Sequence, residues 1–129
     1  MSVKFEDLKI LIAENVDFLS DIIENILNSV NTQQVFIARH SEHALVIYKI
    51  HRHDLLIIDL DINTDGGIEL TKKIRQEIPN APVILMASYA NEEAIKKAKE
   101  IKINDLLIKP FSFDDLMKHI NYTMTKKES

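Results

Sequence analysis

Cysteine is absent from the 129-residue chain, which excludes disulfides and thiolate chemistry and removes the commonest ligand of structural zinc. An excess of positive charge is missing too. The formal net charge is −4, so nothing suggests the basic face that nucleic-acid binding usually shows, and no direct nucleic-acid contact is expected. No apolar run approaches the roughly 20 residues of a membrane span, and Met1 to Asp7 lack the apolar core of a secretory signal. Membrane attachment is therefore not expected, and a cytoplasmic location is the default. There is no internal linker and no low-complexity stretch. An apolar share of 46% and a charged share of 28% fit an ordinary globular protein, and the length suits one domain over residues 1–129. The ordered core should run over about 5–125, with a charged tail at 126–129.

What is present is an alternation of short β-branched runs and helical-period stretches. Leu8 to Ala13 is a near-continuous apolar run, as expected of a strand buried on both faces. After Glu14-Asn15, the residues Phe18, Ile22, Ile26 and Val30 recur every four positions and mark one helix face, with Asp17 as its N-cap. Gln34 to Ala38 forms a second strand, and Ser41 caps a helix through Ala44, Leu45, Ile47 and Tyr48. Leu55 to Ile58 is the most hydrophobic strand and carries Asp59 at its C-terminal end. A polar loop from Asp61 to Gly67 leads into a helix through Ile68, Leu70, Ile74 and Ile78, which stops before Pro79. Pro82 to Met86 is the fourth strand, Asn91 opens the fourth helix, and Leu106 to Ile108 is the fifth strand. Ser112 with Asp115 resembles a capping box and starts a last helix through Leu116, Met117 and Ile120. Five strands alternating with five helices predict a doubly wound parallel sheet covered on both faces.

Open parallel sheets build their sites at the C-terminal ends of the strands. Glu14 and Asn15 follow the first strand, Asp59 ends the third, and Asp61 and Asp65 lie in the next loop. Ala87 and Ser88 follow the fourth strand and Lys109 the fifth. Clustered acidic oxygens suit a hard cation such as Mg²⁺, which accepts oxygen ligands and keeps several waters. A carboxylate beside that ion can attack phosphorus. Phosphoryl transfer asks mainly for positioning and for neutralisation of the phosphoryl oxygens, which a metal and a lysine can share.

These residues resemble response regulator receiver domains over nearly the whole chain. Lys9 to Asn15 resembles the family's apolar strand ending in an acidic pair, and Asp54 to Asp59 the strand that ends in the phosphoacceptor aspartate. Gly67-Ile68-Glu69-Leu70, Ala81 to Met86 and Lys109-Pro110-Phe111 continue the pattern, the last with a cis bond expected between Lys109 and Pro110. The resemblance implies the three-layer flavodoxin-like receiver fold with strand order 2-1-3-4-5. It implies a phosphorelay role in which Asp59 and Lys109 carry the chemistry. Glu14, Asn15, Asp59 and Asp61 would hold Mg²⁺, and Lys109, Ala87 and Ser88 would surround the phosphoryl group. Ala87 and Leu106 would stand at the switch positions. The implied partner is a sensor histidine kinase or a phosphotransfer protein, with signalling through the helix 4, strand 5 and helix 5 face. A homodimer is compatible with the family. The implied activity is that of a phosphoacceptor with self-catalysed transfer and hydrolysis, not of a dedicated enzyme.

Several positions depart from the family pattern, and they gather at the site. Asn15 replaces a metal-binding carboxylate with an amide, so Mg²⁺ should be held weakly. Asn63 takes the place of a loop proline, Gly66 that of an aspartate, and Lys102 that of a glycine before the fifth strand. Ala87 lacks the switch hydroxyl, and Leu106 replaces the aromatic side chain. These changes motivate a second reading, a phosphorylation-independent pseudo-receiver that serves as a docking module. A third reading, a flavodoxin-like cofactor binder, would need a phosphate-cradling loop after the first strand, where Glu14-Asn15-Val16-Asp17 is acidic. His40, His43, His51, His53 and His119 match no compact metal-site spacing and are expected at the surface. Lys96, Lys97 and Lys99 are expected to form a solvated face.

Overall fold

The computed structural model describes residues 3–88, 92–103 and 105–126. A short 3-10 turn at Phe5–Asp7 precedes β1 (Lys9–Ala13), α1 (Asp17–Ser29), β2 (Gln34–Ala38), α2 (Ser41–His51) and β3 (Leu55–Asp59). Then follow α3 (Gly66–Glu77), β4 (Val83–Ala87), α4 (Glu92–Glu100), β5 (Asp105–Ile108) and α5 (Phe113–Lys126). The strands form one parallel sheet of five in the order β2-β1-β3-β4-β5, the topology that the family resemblance implies.

Strand periodicity divides the core between the two faces. Leu11, Leu56, Ile58, Val83 and Leu85 pack with Ala44 and Tyr48 of α2, Leu70 and Ile74 of α3, and Ala98 of α4. Ile10, Ile12, Leu55, Ile57, Ile84, Met86 and Leu107 pack on the other face with Ile23 and Leu27 of α1 and Leu116 and Ile120 of α5. All five residues of β3 and all five of β4 are buried, which is why these strands read as continuous apolar runs rather than alternating ones. None of the described helices is long and apolar enough to cross a membrane.

Helix ends are where the sequence reading needs correction. Asp17 is the first residue of α1, not its cap. Val16 occupies the cap position and, having an apolar side chain, makes no cap bond, while the Asp17 carboxylate pairs with Arg39 at 2.6 Å. Ser41 likewise lies inside α2, with His40 at the cap. Its hydroxyl instead accepts from the backbone N–H of Asp65 at 3.1 Å, tying α2 to the loop after β3. The Ser112–Asp115 box is present in full: Asp115 N donates to Ser112 Oγ and Ser112 N donates to Asp115 Oδ2, both at 3.0 Å. The expected start of α4 at Asn91 lies outside the described residues.

His53 is not a surface residue. It is 3% exposed, with the rings of Phe36, His51 and Tyr48 within 4.6–6.0 Å of its own. His40 and His43 are exposed as expected.

Candidate functional site

Glu14, Asp59 and Lys109 meet at the C-terminal edge of the sheet. Along β1 and β3, Glu14 continues the alternation of Ile10 and Ile12, and Asp59 that of Leu55 and Ile57, so both belong to the α1/α5 side. The register pairs Ile12 with Ile57, Asp59 with Met86 and Met86 with Leu107. Lys109 follows two residues after Leu107, on the same parity. Its backbone N–H donates to the Ala87 carbonyl at 2.7 Å, which fixes the turn after β5 against the end of β4. The peptide bond from Lys109 to Pro110 is cis, as expected.

Neighbouring strands lie about 4.8 Å apart, so β5 and β3 are roughly 10 Å apart, a gap closed jointly by the lysine stem, the hydrogen bond and the Asp59 side chain. There its ammonium donates to Asp59 Oδ1 at 3.0 Å and to Glu14 Oε1 at 2.8 Å. The Glu14 side chain is fully buried, that of Asp59 is 7% exposed and that of Lys109 18%. Glu14 Oε2 accepts from the Val16 N–H at 3.2 Å. Burial pushes the Asp59 carboxyl above its ordinary pKa. The lysine bond opposes that shift, and the negative charges of Glu14 and Asp61 add to it. Burial alone would lower the Lys109 pKa, but hydrogen bonds and charge from Glu14 and Asp59 outweigh it and raise the value. Two carboxylates thus share one cation.

The loop after β3 is shaped by glycine. A Cβ on Gly67 would lie 2.6 Å from the Asp59 carbonyl oxygen and 2.9 Å from Leu60 Cα, and Gly66 sits at φ +83°. The Gly67 N–H donates to Leu60 O at 2.8 Å. Only glycine lets α3 start this close to β3.

The remaining expected site residues are more dispersed. Asp61 is exposed and Asn15 half-buried, both on the loops that flank Asp59. Ala87 is buried at the end of β4, whereas Ser88 is exposed just beyond it. Leu106 is partly buried against the α2/α3 face of the core. The Glu14–Lys109 bond was not expected, because no spacing signal joins residues 95 positions apart.

A divalent ion fits this edge only loosely. Among the described residues, no three carboxylate or histidine side chains converge closely enough to enclose a metal. Mg²⁺ does not need that many, since it is commonly held through one or two carboxylates and its own waters. The upward pressure of Glu14 and Asp61 on the Asp59 carboxyl marks a local surplus of negative charge that a hydrated cation would relieve.

Comparison with known proteins agrees with the fold. The response regulator receiver domain family matches residues 10–121. Chemotaxis protein CheY of Bacillus subtilis is 28% identical over 116 residues, covering 90% of this chain and 97% of its own. Sporulation initiation phosphotransferase F of the same organism is 30% identical over 108 residues, covering 84% and 86%. In structure, Vibrio cholerae chemotaxis protein CheY4 superposes with a TM-score of 0.85 at 20% identity, covering 90% of this chain and 98% of its own. A CheY-like receiver domain from Methanospirillum hungatei gives 0.86 at 24%, covering 95% and 98%. At those identities the two structures speak for the fold.

Proposed function

Because this chain belongs to the response regulator receiver domain family, whose members act in two-component signalling rather than as enzymes in the usual sense, we propose that Asp59 accepts a phosphoryl group from a phosphohistidine on a sensor kinase or phosphotransfer protein. The observation that carries this reading is the Lys109 ammonium 3.0 Å from Asp59 Oδ1, at the tip of a buried strand. With Oδ1 engaged by the lysine, Oδ2 is the oxygen that attacks phosphorus. The phosphorus–nitrogen bond of the donor breaks, its electron pair leaves with the imidazole, and an acyl phosphate forms on Asp59. Lys109 then shifts one N–H toward a phosphoryl oxygen, and the burial of its stem keeps it from swinging into solvent. Asp59, Asn15 and Asp61, with Glu14 beside them, are the residues that would hold Mg²⁺, which supplies neutralisation of the phosphoryl oxygens when bound.

The output surface in this reading is the α4, β5 and α5 face. Ala87 offers a methyl group where the phosphoryl group would look for a hydroxyl, and Ser88 stands one residue too far along. Signal transmission from Asp59 to that face is therefore muted relative to a receiver that has the hydroxyl. The same observation supports the second reading, a pseudo-receiver that docks partners without being phosphorylated.

Incubation with Mg²⁺ and acetyl phosphate, followed by intact mass, separates the two. The expected result is the addition of one phosphoryl group, lost on acid treatment and absent from Asp59→Asn. No adduct on the wild-type protein, or an adduct that survives in Asp59→Asn, would favour the docking module.

A further inference from the structure

Helix α2 is apolar on more sides than its place in the fold explains. Ala44 and Tyr48 fill the core, and Leu45 and Ile47 are partly buried against it. Val46 and Ile50 nevertheless face solvent, 55% and 68% exposed. A surface helix ordinarily turns polar residues to water there, and apolar residues all round belong to a helix that something covers. Single exposed apolar residues are common. His43, Val46, Ile47 and Ile50, however, follow the i, i+3, i+4, i+7 spacing that makes one continuous stripe. The stripe lies over the β2 and β1 side of the sheet. It includes none of the residues that meet at the Asp59 edge, and the α4, β5 and α5 face is at the other side.

We propose that this stripe is an interface between two copies of the chain, with their α2 helices antiparallel about a two-fold axis. The charges beside the stripe favour a second copy over another partner. Glu42 and Lys49 are both exposed, and each stands one residue before an end of the stripe, His43 or Ile50. The two lie on the same side of the helix, because their separation is close to two full turns. A two-fold axis through the middle of the stripe sets Glu42 of each copy beside Lys49 of the other. One self-complementary patch thus supplies both ion pairs, as an isologous contact requires. A parallel pairing would oppose like charges instead. Among the described residues Glu42 has no salt bridge, and Lys49 has only a loose one, to Glu77 at 3.7 Å. The 11 residues of α2 span about 16 Å, so the contact is small. The dimer is accordingly weak, with a dissociation constant on the order of 100 µM.

Sedimentation equilibrium of the full chain, from about 10 µM to about 1 mM, is the test. The expected result is a monomer–dimer equilibrium that needs neither Mg²⁺ nor a phosphodonor. Ile50→Glu changes an exposed position, so it should leave the urea midpoint of the monomer unchanged while weakening the dimer about tenfold or more. Glu42→Lys and Lys49→Glu should each weaken it about fivefold, because each turns two attractive pairs into repulsive ones. The double variant should restore the wild-type affinity, a result that only an antiparallel pairing of these two residues gives. A chain that stays monomeric over the whole range would overturn the proposal and leave the stripe to a partner of another kind. A dimer untouched by Ile50→Glu would overturn it too, as would a double variant weaker than either single one. Should Ile50→Glu fail to fold, the wild-type series and the charge variants still decide.

Discussion

Arg75 of α3 donates to the backbone carbonyl of Lys102, the residue that turns the chain out of α4 with φ at +54°. The same guanidinium donates to the carbonyls of Ile101 and Ala81, so it closes the end of α4 against the start of β4. Ile103 N bonds to Ala98 O at 3.0 Å and Lys102 N to Lys99 O at 3.1 Å, the paired closure of a Schellman motif, in which the left-handed residue is usually glycine. This chain has only two glycines and spends both where the loop after β3 enters α3. The left-handed turns that end α1, α2 and α4 fall to Asn31, Arg52 and Lys102.

Lys102→Gly should therefore stabilise the protein. A non-glycine residue in the left-handed region costs about 1 kcal/mol, and the greater entropy of glycine in the unfolded chain returns part of that. The expected gain is about 0.5 kcal/mol, seen as a higher urea midpoint with an unchanged m-value. An equal or lower midpoint would show that the Arg75 bonds already offset the backbone cost.

Gly67→Ala should have the opposite sign and a larger size. The new methyl would press on the Asp59 carbonyl oxygen and on Leu60 Cα, backbone atoms that move only if β3 or α3 moves. Overpacking of this kind costs about 1–3 kcal/mol. The displaced Asp59 should also lose acetyl phosphate labelling, whereas Lys102→Gly should keep it. Urea unfolding and intact mass on the two variants check both halves.

The fold was legible because burial on both sheet faces leaves uninterrupted apolar runs, as in Leu55 to Ile58, and because Pro79 and the Ser112–Asp115 pair mark helix ends locally. Asp59 and Lys109 were legible as residues that follow such runs. What was hidden depends on contacts between distant segments. Asp17 looks like a cap, but its carboxylate pairs with Arg39, 22 residues away. Ser41 looks like a cap until the Asp65 amide, 24 residues on, uses its hydroxyl. Glu14 carries the acidic character of a metal ligand in sequence, and only the sheet order reveals the lysine that occupies it. His53 reads as polar, yet it packs as an aromatic ring.

The burial of His53 has a measurable consequence. Both its ring nitrogens lack a hydrogen-bond partner among the described residues. Burial lowers its pKa to about 4, helped by the positive sides of His51 and Lys9 and opposed by Asp54. Unfolding restores the ordinary value of about 6.5. The unfolded chain therefore takes up the proton first as the pH falls, and stability decreases with it. The contribution is intact above pH 6.5 and is lost as the pH drops through 6.5 toward 4. Between pH 6.5 and 5, a range above most carboxylate titrations, the loss should be on the order of 1.5 kcal/mol. His53→Phe keeps an aromatic ring against Phe36 and Tyr48 and has no proton to bind, so its urea midpoint should stay nearly level across that range. A variant that loses stability as steeply as the wild-type protein would place the proton uptake on another group and return His53 to an ordinary core residue.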